Sequence, residues 1–261
     1  MGVAAELTAP LPSWTRTLNE EDALVLVDAA HAGTSVDDWA ELADRLLPQA
    51  SPARRRELIR IVRDELLDSR DGLVVDSAWL RLFHDGSPHR RLGLLYGRLW
   101  RNRPVVLRAL EELVHPALEQ SDRPLAPHEA DLIDPAVWDR FLRSTMHPDV
   151  PSEAFAKTRS TLQAALRAVG VVEITGNQKR TVRVRHGRPD PIAFAWVLAR
   201  ELVARGEGSE GWAVRASFAA RLFAPRADYA ATCVDSGVTA GLLRRGYLMG
   251  QTRLLPGAEM R

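Results

Sequence analysis

Apolar residues recur at every third or fourth position through the first 146 residues, which is the spacing of a buried helix face. The clearest stripe runs from Leu58 to Leu66. It follows Ser51 and Pro52, residue types favoured at a helix N-cap and at the first helical position. No segment alternates with a period of two, so residues 1–147 are predicted to form an acidic helical domain. Its helices are predicted at 19–33, 35–47, 51–66, 73–83, 88–101, 104–119 and 135–146.

The pattern changes after Pro148. A helix predicted to begin at Ser152 and to end at Gly170 is followed by two short apolar runs, 171–174 and 181–185, separated by a Gly/Asn turn of hairpin length. A helix followed by a hairpin with a basic tip is the layout of a winged helix. We therefore predict that residues 148–188 complete a winged-helix-like unit.

The last seventy residues repeat this plan more weakly. The pattern predicts helices at 190–205, 209–223 and 228–245 and a small hairpin at 246–254. Residues 189–261 are thus expected to form a second winged-helix-like unit or a C-terminal extension. The predicted fold class is mainly α, an N-terminal helical bundle followed by winged-helix-like units with short β-hairpins.

Composition excludes a disordered or fibrous chain, because 46% of the 261 residues are hydrophobic and 26% are charged. The formal net charge of +1 hides an asymmetry, since residues 1–150 carry 18 basic and 25 acidic side chains and residues 151–261 carry 17 and 9. No apolar run is long enough for a membrane span, and Cys233 is the only cysteine. We expect a cytoplasmic protein that makes no membrane contact.

The positive charge gathers on the helix and hairpin of residues 148–188. On a helical wheel Lys157, Ser160 and Arg167 share the face opposite the apolar one. A helix in the major groove presents such residues to base edges and phosphates, while a wing contacts neighbouring backbone. The wing would supply four cations and one amide that neutralise or bind phosphate, namely Asn177, Lys179, Arg180, Arg183 and Arg185.

A second basic cluster lies on the predicted helix 51–66, where Arg56 and Arg60 fall on the face opposite the apolar stripe. Its signal is less specific, because the neighbouring acids Glu57, Asp64 and Glu65 can pair with these arginines. We include Arg56 and Arg60 as candidate DNA-binding residues, with a solvated helix face as the alternative.

Catalytic signals are weak. The sequence contains no G-x-S-x-G elbow, no Walker loop and no histidine pair at metal-ligand spacing. Residues 206–211 spell G-x-G-x-x-G, but they follow a helix instead of a strand and include two acids, which disfavours a dinucleotide site. We expect a protein that is not an enzyme and that needs no cofactor or metal.

Four helical segments carry a resemblance to a known family: LLPQASPARRRELIRIVRDEL (46–66), RNRPVVLRALEELVHPAL (101–118), DPAVWDRFLRS (134–144) and SEAFAKTRSTLQAALRAVGVVE (152–173). In these, the chain resembles the BrxA family of the BREX bacteriophage-defence systems over about residues 20–186. The resemblance implies a mainly helical, DNA-binding protein similar in fold to the antitermination factor NusB. The tail from residue 187 onward departs from the family pattern.

These observations lead to one expected function and two alternatives. We expect a non-catalytic component of a BREX-like defence assembly that binds double-stranded DNA through its basic half and other defence proteins through its acidic half. The first alternative is an adaptor whose winged helices bind protein, as in kleisin-associated subunits. The second is a sequence-specific transcriptional regulator, which would prefer one duplex by ~10³-fold.

Overall fold

The structure is a computed structural model that describes residues 20–47, 50–100, 104–123, 130–145, 152–175, 181–205 and 208–260. It is mainly helical, as predicted. The helices are α1 (Glu20–Asp28), α2 (Val36–Leu46), α3 (Pro52–Ile61), α4 (Ala78–His84), α5 (Pro88–Leu99), α6 (Pro104–Ala109), α7 (His115–Ser121), α8 (Pro135–Thr145), α9 (Ser152–Ala168), α10 (Pro191–Arg205), α11 (Glu210–Ala216), α12 (Phe218–Phe223) and α13 (Ala227–Thr239).

Serine caps begin several of these helices. Ser51 accepts a hydrogen bond from the backbone N–H of Arg54, and Pro52 fills the first position of α3, where no N–H partner is needed. Ser77 caps α4 in the same way through the N–H of Leu80. Helix α3 continues into a π-helical turn (Val62–Leu66), and a second π turn (Leu110–Val114) joins α6 to α7.

The described strands form small antiparallel sheets. They are β1 (Ser69–Arg70), β2 (Leu73–Val74), β3 (Leu132–Ile133), β4 (Val172–Thr175), β5 (Thr181–Val184), β6 (Gly208–Ser209), β7 (Leu243–Leu248) and β8 (Gln251–Pro256). One sheet has the order β3-β5-β4 and another the order β6-β8-β7. The hairpin β1-β2 gains a third partner, because Ser35 forms an isolated bridge with Leu73 on β2.

The three sheets have the same order of elements along the chain. An initial strand or bridge is followed by helices and then by a hairpin, and the second hairpin strand lies in the middle of the sheet. In the first case Ser35 is followed by α2, α3 and the β1-β2 hairpin. In the second, β3 is followed by α8, α9 and the β4-β5 hairpin, and in the third, β6 is followed by α11, α12, α13 and the β7-β8 hairpin.

Contacts divide the chain into two compact units. Among the described residues, one unit comprises those within 18–99, 190–213 and 232–261, and the other those within 100–189 and 214–231. The sequence predicted three consecutive domains with boundaries at 147 and 188, whereas these units interleave along the chain. Local periodicity does not reveal such packing, because α10 packs on α5, about one hundred residues earlier.

Each unit has its own apolar core. In the first, α5 approaches α10 closely at Gly97, where an added Cβ would lie 2.3 Å from Val197 Cγ2. In the second, Trp138 and Leu142 on α8 are fully buried together with Leu166 on α9 and Val182 on β5. None of the described helices is both long and apolar enough to cross a lipid bilayer.

Three predicted helices were wrong at one end. The helix expected over 19–33 ends at Asp28. The helix expected over 73–83 begins at Ala78, because Leu73 and Val74 form β2 instead. The helix expected over 228–245 ends at Thr239, because Gly241 adopts a left-handed φ of +72° and β7 begins two residues later. Arg244 and Arg245 therefore lie on a strand and not at a helix end.

Candidate nucleic-acid interface

Helix α9 and the β4-β5 hairpin form the candidate interface. Helix α8 packs on α9, and the end of α9 leads through Gly170, at φ +77°, directly into β4. The left-handed conformation at Gly170 is one that glycine adopts without strain, and it reverses the chain within two residues. The helix and the hairpin are thus held next to each other by chain connectivity and by the packing of α9 against β4.

The two faces of α9 are divided as the helical wheel predicts. The buried face includes Thr158, Leu162 and Leu166, which are at most 1% exposed. Lys157, Ser160 and Arg167 lie on the exposed face. Because the apolar face is buried within its own unit, the exposed face is available for another molecule.

The hairpin is held by regular antiparallel pairing of β4 with β5, in which Val182 lies opposite Ile174 and Arg183 opposite Glu173. Val182 and Val184 are buried, so Arg183, between them, points to the other face of the sheet. Arg185 follows β5 and is exposed. The wing residues Asn177, Lys179 and Arg180 lie outside the described residues.

Two of the wing cations lie against carboxylates. Arg183 Nε is 3.0 Å from Asp131 Oδ2, and Arg185 Nη1 is 3.3 Å from Glu173 Oε2. The sequence argument counted no acid between residues 179 and 185, but these carboxylates come from the neighbouring strand and from the turn before β3. The charge of the wing is therefore partly neutralised, more than the sequence suggested.

On α9 the charge is less compensated. Neither Lys157 nor Arg167 has an ion pair with a carboxylate in the described part of the chain. Arg159, by contrast, forms an ion pair with Asp139 on α8. Lys157 and Arg167 on α9 are therefore exposed without a carboxylate partner among the described residues, unlike Arg183 and Arg185.

The second basic cluster lies on α3. Arg56 and Arg60 are exposed, as predicted. The neighbouring arginines are engaged, since Arg55 Nε is 2.8 Å from Asp44 Oδ1 and Arg63 Nε is 2.8 Å from Asp64 Oδ1. The structure places this cluster in the unit that does not contain α9.

Sequence reasoning missed the β1-β2 hairpin that follows α3. Its turn is Asp71-Gly72, with φ values of +53° and +75°. Asp-Gly is a strong signal for a two-residue hairpin turn, but strands of only two residues give no alternating pattern to accompany it. Helix α3 is thus followed by a hairpin, as α9 is followed by the β4-β5 hairpin.

The described residues contain no group of three or more His, Cys, Asp or Glu side chains suited to hold a metal ion. Cys233 is fully buried, and burial together with the charge of Asp190 raises the pKa of its thiol to about 12. A thiol in this state is a poor nucleophile. Gly208, within the G-x-G-x-x-G run, belongs to β6 and pairs with Leu254.

Comparison with known proteins finds no matching protein family and no matching curated protein. The chain is similar to two crystal structures of SspB, one of them bound to a magnesium ion. Each matches with a TM-score of 0.50 and 16% sequence identity. The two alignments cover 90% of this chain and, respectively, 86% and 87% of the SspB chain. This likeness concerns the fold of the chain alone.

Proposed function

We propose that this protein is a non-catalytic, double-stranded DNA-binding component of a BREX-like phage-defence assembly. The observation that carries the proposal is the exposed, cationic face of α9, where Lys157 and Arg167 have no ion pair among the described carboxylates, beside the β4-β5 hairpin. Helices that present such a face next to a β-hairpin are suited to a DNA groove and its phosphates.

The order of the elements in this unit supports the proposal, because it is the order expected of a winged helix. The order strand, helix, helix, hairpin, with the last strand central in the sheet, is the one that β3, α8, α9, β4 and β5 follow. In a winged-helix unit of this kind, α9 would be the recognition helix and the β4-β5 hairpin would be the wing. We infer base-edge and phosphate contacts for Lys157, Ser160 and Arg167, and phosphate contacts for Asn177, Lys179, Arg180, Arg183 and Arg185.

The chemistry favours binding that is mainly electrostatic and only weakly selective for sequence. Cations that meet phosphates release condensed counterions from the duplex, and this release is independent of base sequence. The candidate set also includes only two side chains, Ser160 and Asn177, of the neutral polar kind that hydrogen-bond to bases. Arg56 and Arg60 on α3 offer a further basic surface.

The test is a fluorescence-anisotropy titration of a labelled duplex with the full chain. The variant Lys157→Gln/Arg167→Gln is compared with Arg45→Gln/Arg244→Gln, which removes the same charge from exposed positions outside the candidate set. We expect the α9 variant to bind more weakly and to reduce the slope of log affinity against log salt by about 2, as two lost phosphate contacts require. Equal behaviour of the two variants would refute the assignment of α9.

A second candidate function, a protein-binding adaptor, is favoured by the C-terminal hairpin. The tip of this hairpin exposes apolar side chains, since Tyr247 on β7 is 77% exposed and Met249 in the turn is 91% exposed. Helix α13, which precedes this hairpin, contains neither lysine nor arginine, and Arg245 is bonded to Glu210 and Asp235, which raise its pKa above the ordinary value. Chemistry of this kind suits a protein partner better than phosphate.

The DNA affinity of the isolated chain distinguishes the two functions. The adaptor function predicts no measurable affinity for DNA at low salt and a stable partner that co-purifies with the chain. It also predicts that Tyr247→Ser/Met249→Ser loses this partner, whereas Lys157→Gln/Arg167→Gln retains it. A DNA-binding component of a defence assembly retains duplex affinity without any partner.

A further inference from the structure

A cleft of about 440 Å³ opens beside the end of β5, within the unit that contains α9. Its walls come from the segment that follows β5, the end of α7 and the first turn of α13. Volumes of roughly 300 to 1,000 Å³ are typical of small-molecule sites. Charged side chains dominate the walls of this cleft, so its ligand is expected to be charged.

The carboxylates in the cleft are already engaged. Asp122 Oδ2 lies 2.8 Å from Nε2 of His186, and Asp131 Oδ2 lies 3.0 Å from Nε of Arg183. Asp228 also has an interaction partner. Each of these carboxylates thus has a partner in the protein, although one oxygen of Asp131, Oδ1, is buried without a hydrogen-bond partner among the described residues.

Arg185 lines the cleft and is paired with Glu173, but the other two arginines of the cleft are not engaged in this way. Arg188 and Arg226 line the cleft, are exposed, and form no ion pair with a carboxylate of the described residues. Arg226 immediately precedes α13, and its carbonyl accepts a hydrogen bond from the N–H of Ala230 in the first turn. The partial positive charge at the beginning of α13 adds to that of the two guanidinium groups, and Asp228 in the first turn offsets part of it. The cleft thus favours an anion.

An aromatic ring completes the wall. The hydroxyl of Tyr229 donates a hydrogen bond to the carbonyl of Pro189, 2.9 Å away, which fixes the ring in the cleft. Aromatic rings offer stacking surfaces to nucleobases, and guanidinium groups bind phosphate oxygens in pairs. Arginines and a fixed tyrosine in one cleft match the two ends of a nucleotide.

We propose that this cleft binds a nucleotide phosphate, with Arg188 and Arg226 as the anion-binding groups and Tyr229 beside the sugar or base. A backbone phosphate of a nucleic-acid strand and a free nucleotide offer the same chemistry. Binding of a phosphate from a nucleic-acid strand rests on the proposed function, because the cleft begins where β5 ends. Binding of a free nucleotide does not depend on the proposed function.

The experiment uses the full chain and two probes, ATP measured by isothermal titration calorimetry and a labelled 20-base-pair duplex measured by anisotropy. Arg188→Gln/Arg226→Gln is compared with Arg45→Gln/Arg244→Gln, and circular dichroism verifies that both variants are folded. We expect saturable binding of at least one probe, weakened at least about tenfold by the cleft variant and little by the control, as loss of charge-assisted hydrogen bonds requires. Arg226→Gln alone provides a milder variant should the double change unfold the chain.

The outcomes separate the two proposals. Weakened duplex binding without ATP binding identifies the strand as the source, and weakened ATP binding identifies the free nucleotide even if no duplex binds. If the duplex binds and the cleft variant behaves as the control does, the cleft inference is overturned while the proposed function stands. If neither probe binds, both are overturned.

Discussion

Arg183 on β5 lies with its Nε atom 3.0 Å from Oδ2 of Asp131, the residue before β3. This contact ties the central strand of the sheet to the turn that precedes its neighbouring strand. The other oxygen of Asp131, Oδ1, is buried and has no hydrogen-bond partner among the described residues. A cation that the sequence assigns to phosphate binding is therefore held against a carboxylate of its own chain by an ion pair.

Releasing this cation is expected to strengthen DNA binding. In Asp131→Asn, Arg183 keeps its charge and loses its counter-charge, so we predict that duplex affinity rises by about twofold to tenfold at 0.1 M salt and that the salt slope steepens by about 1. Anisotropy titrations over a salt series measure both quantities. The exposed Asp38→Asn is the matched control, and equal effects of the two variants would show that only net charge matters.

The contact of Gly97 with Val197 is expected to limit side-chain size in the first unit. In Gly97→Ala the new methyl group overlaps Val197 Cγ2, since an ideal Cβ lies 2.3 Å from it. We predict a loss of about 1 to 3 kcal/mol in the free energy of unfolding, measured by urea denaturation. Gly97→Ala/Val197→Ala should lose less than the sum of the single changes, and strict additivity would contradict this close approach.

Cys233 is expected to be inert in the folded protein. Burial and Asp190 raise the pKa of its thiol from 9.0 to about 12, which lowers the thiolate fraction at pH 8 about a thousandfold. Because the thiolate is the reactive form, modification by a thiol reagent should be negligible at pH 8 and should become rapid when urea unfolds the chain. Rapid modification of the native protein would place Cys233 in an accessible site.

Sequence periodicity predicted much of the helical structure. The apolar stripe from Leu58 to Leu66, on α3 and the π-helical turn that follows it, is buried. The helical wheel of α9 separates its buried and exposed faces correctly. Such stripes are strong signals because a helix repeats its buried positions over several turns. Strands β1, β2 and β3 contain two residues each, too few for a period of two to appear.

The candidate site was predicted less completely, since a charge run on one strand says nothing about its neighbours. Arg185 meets Glu173 across the hairpin, and Arg183 meets Asp131, fifty-two positions earlier. The cleft of Arg188 and Arg226 was also missed, because these arginines are thirty-eight positions apart and neither lies in a motif. Pairing and convergence of this kind depend on tertiary structure and not on local pattern.

The most direct test of the DNA-binding proposal is the affinity of the unmodified chain for two unrelated duplexes over a series of salt concentrations. If the basic surfaces neutralise about 4 to 6 phosphates, log affinity should fall against log salt with a slope of about −4 to −5, and the two duplexes should bind alike. Absence of binding at low salt, or a slope near zero, would contradict the proposal. A preference of ~10³-fold for one duplex would instead indicate a sequence-specific regulator.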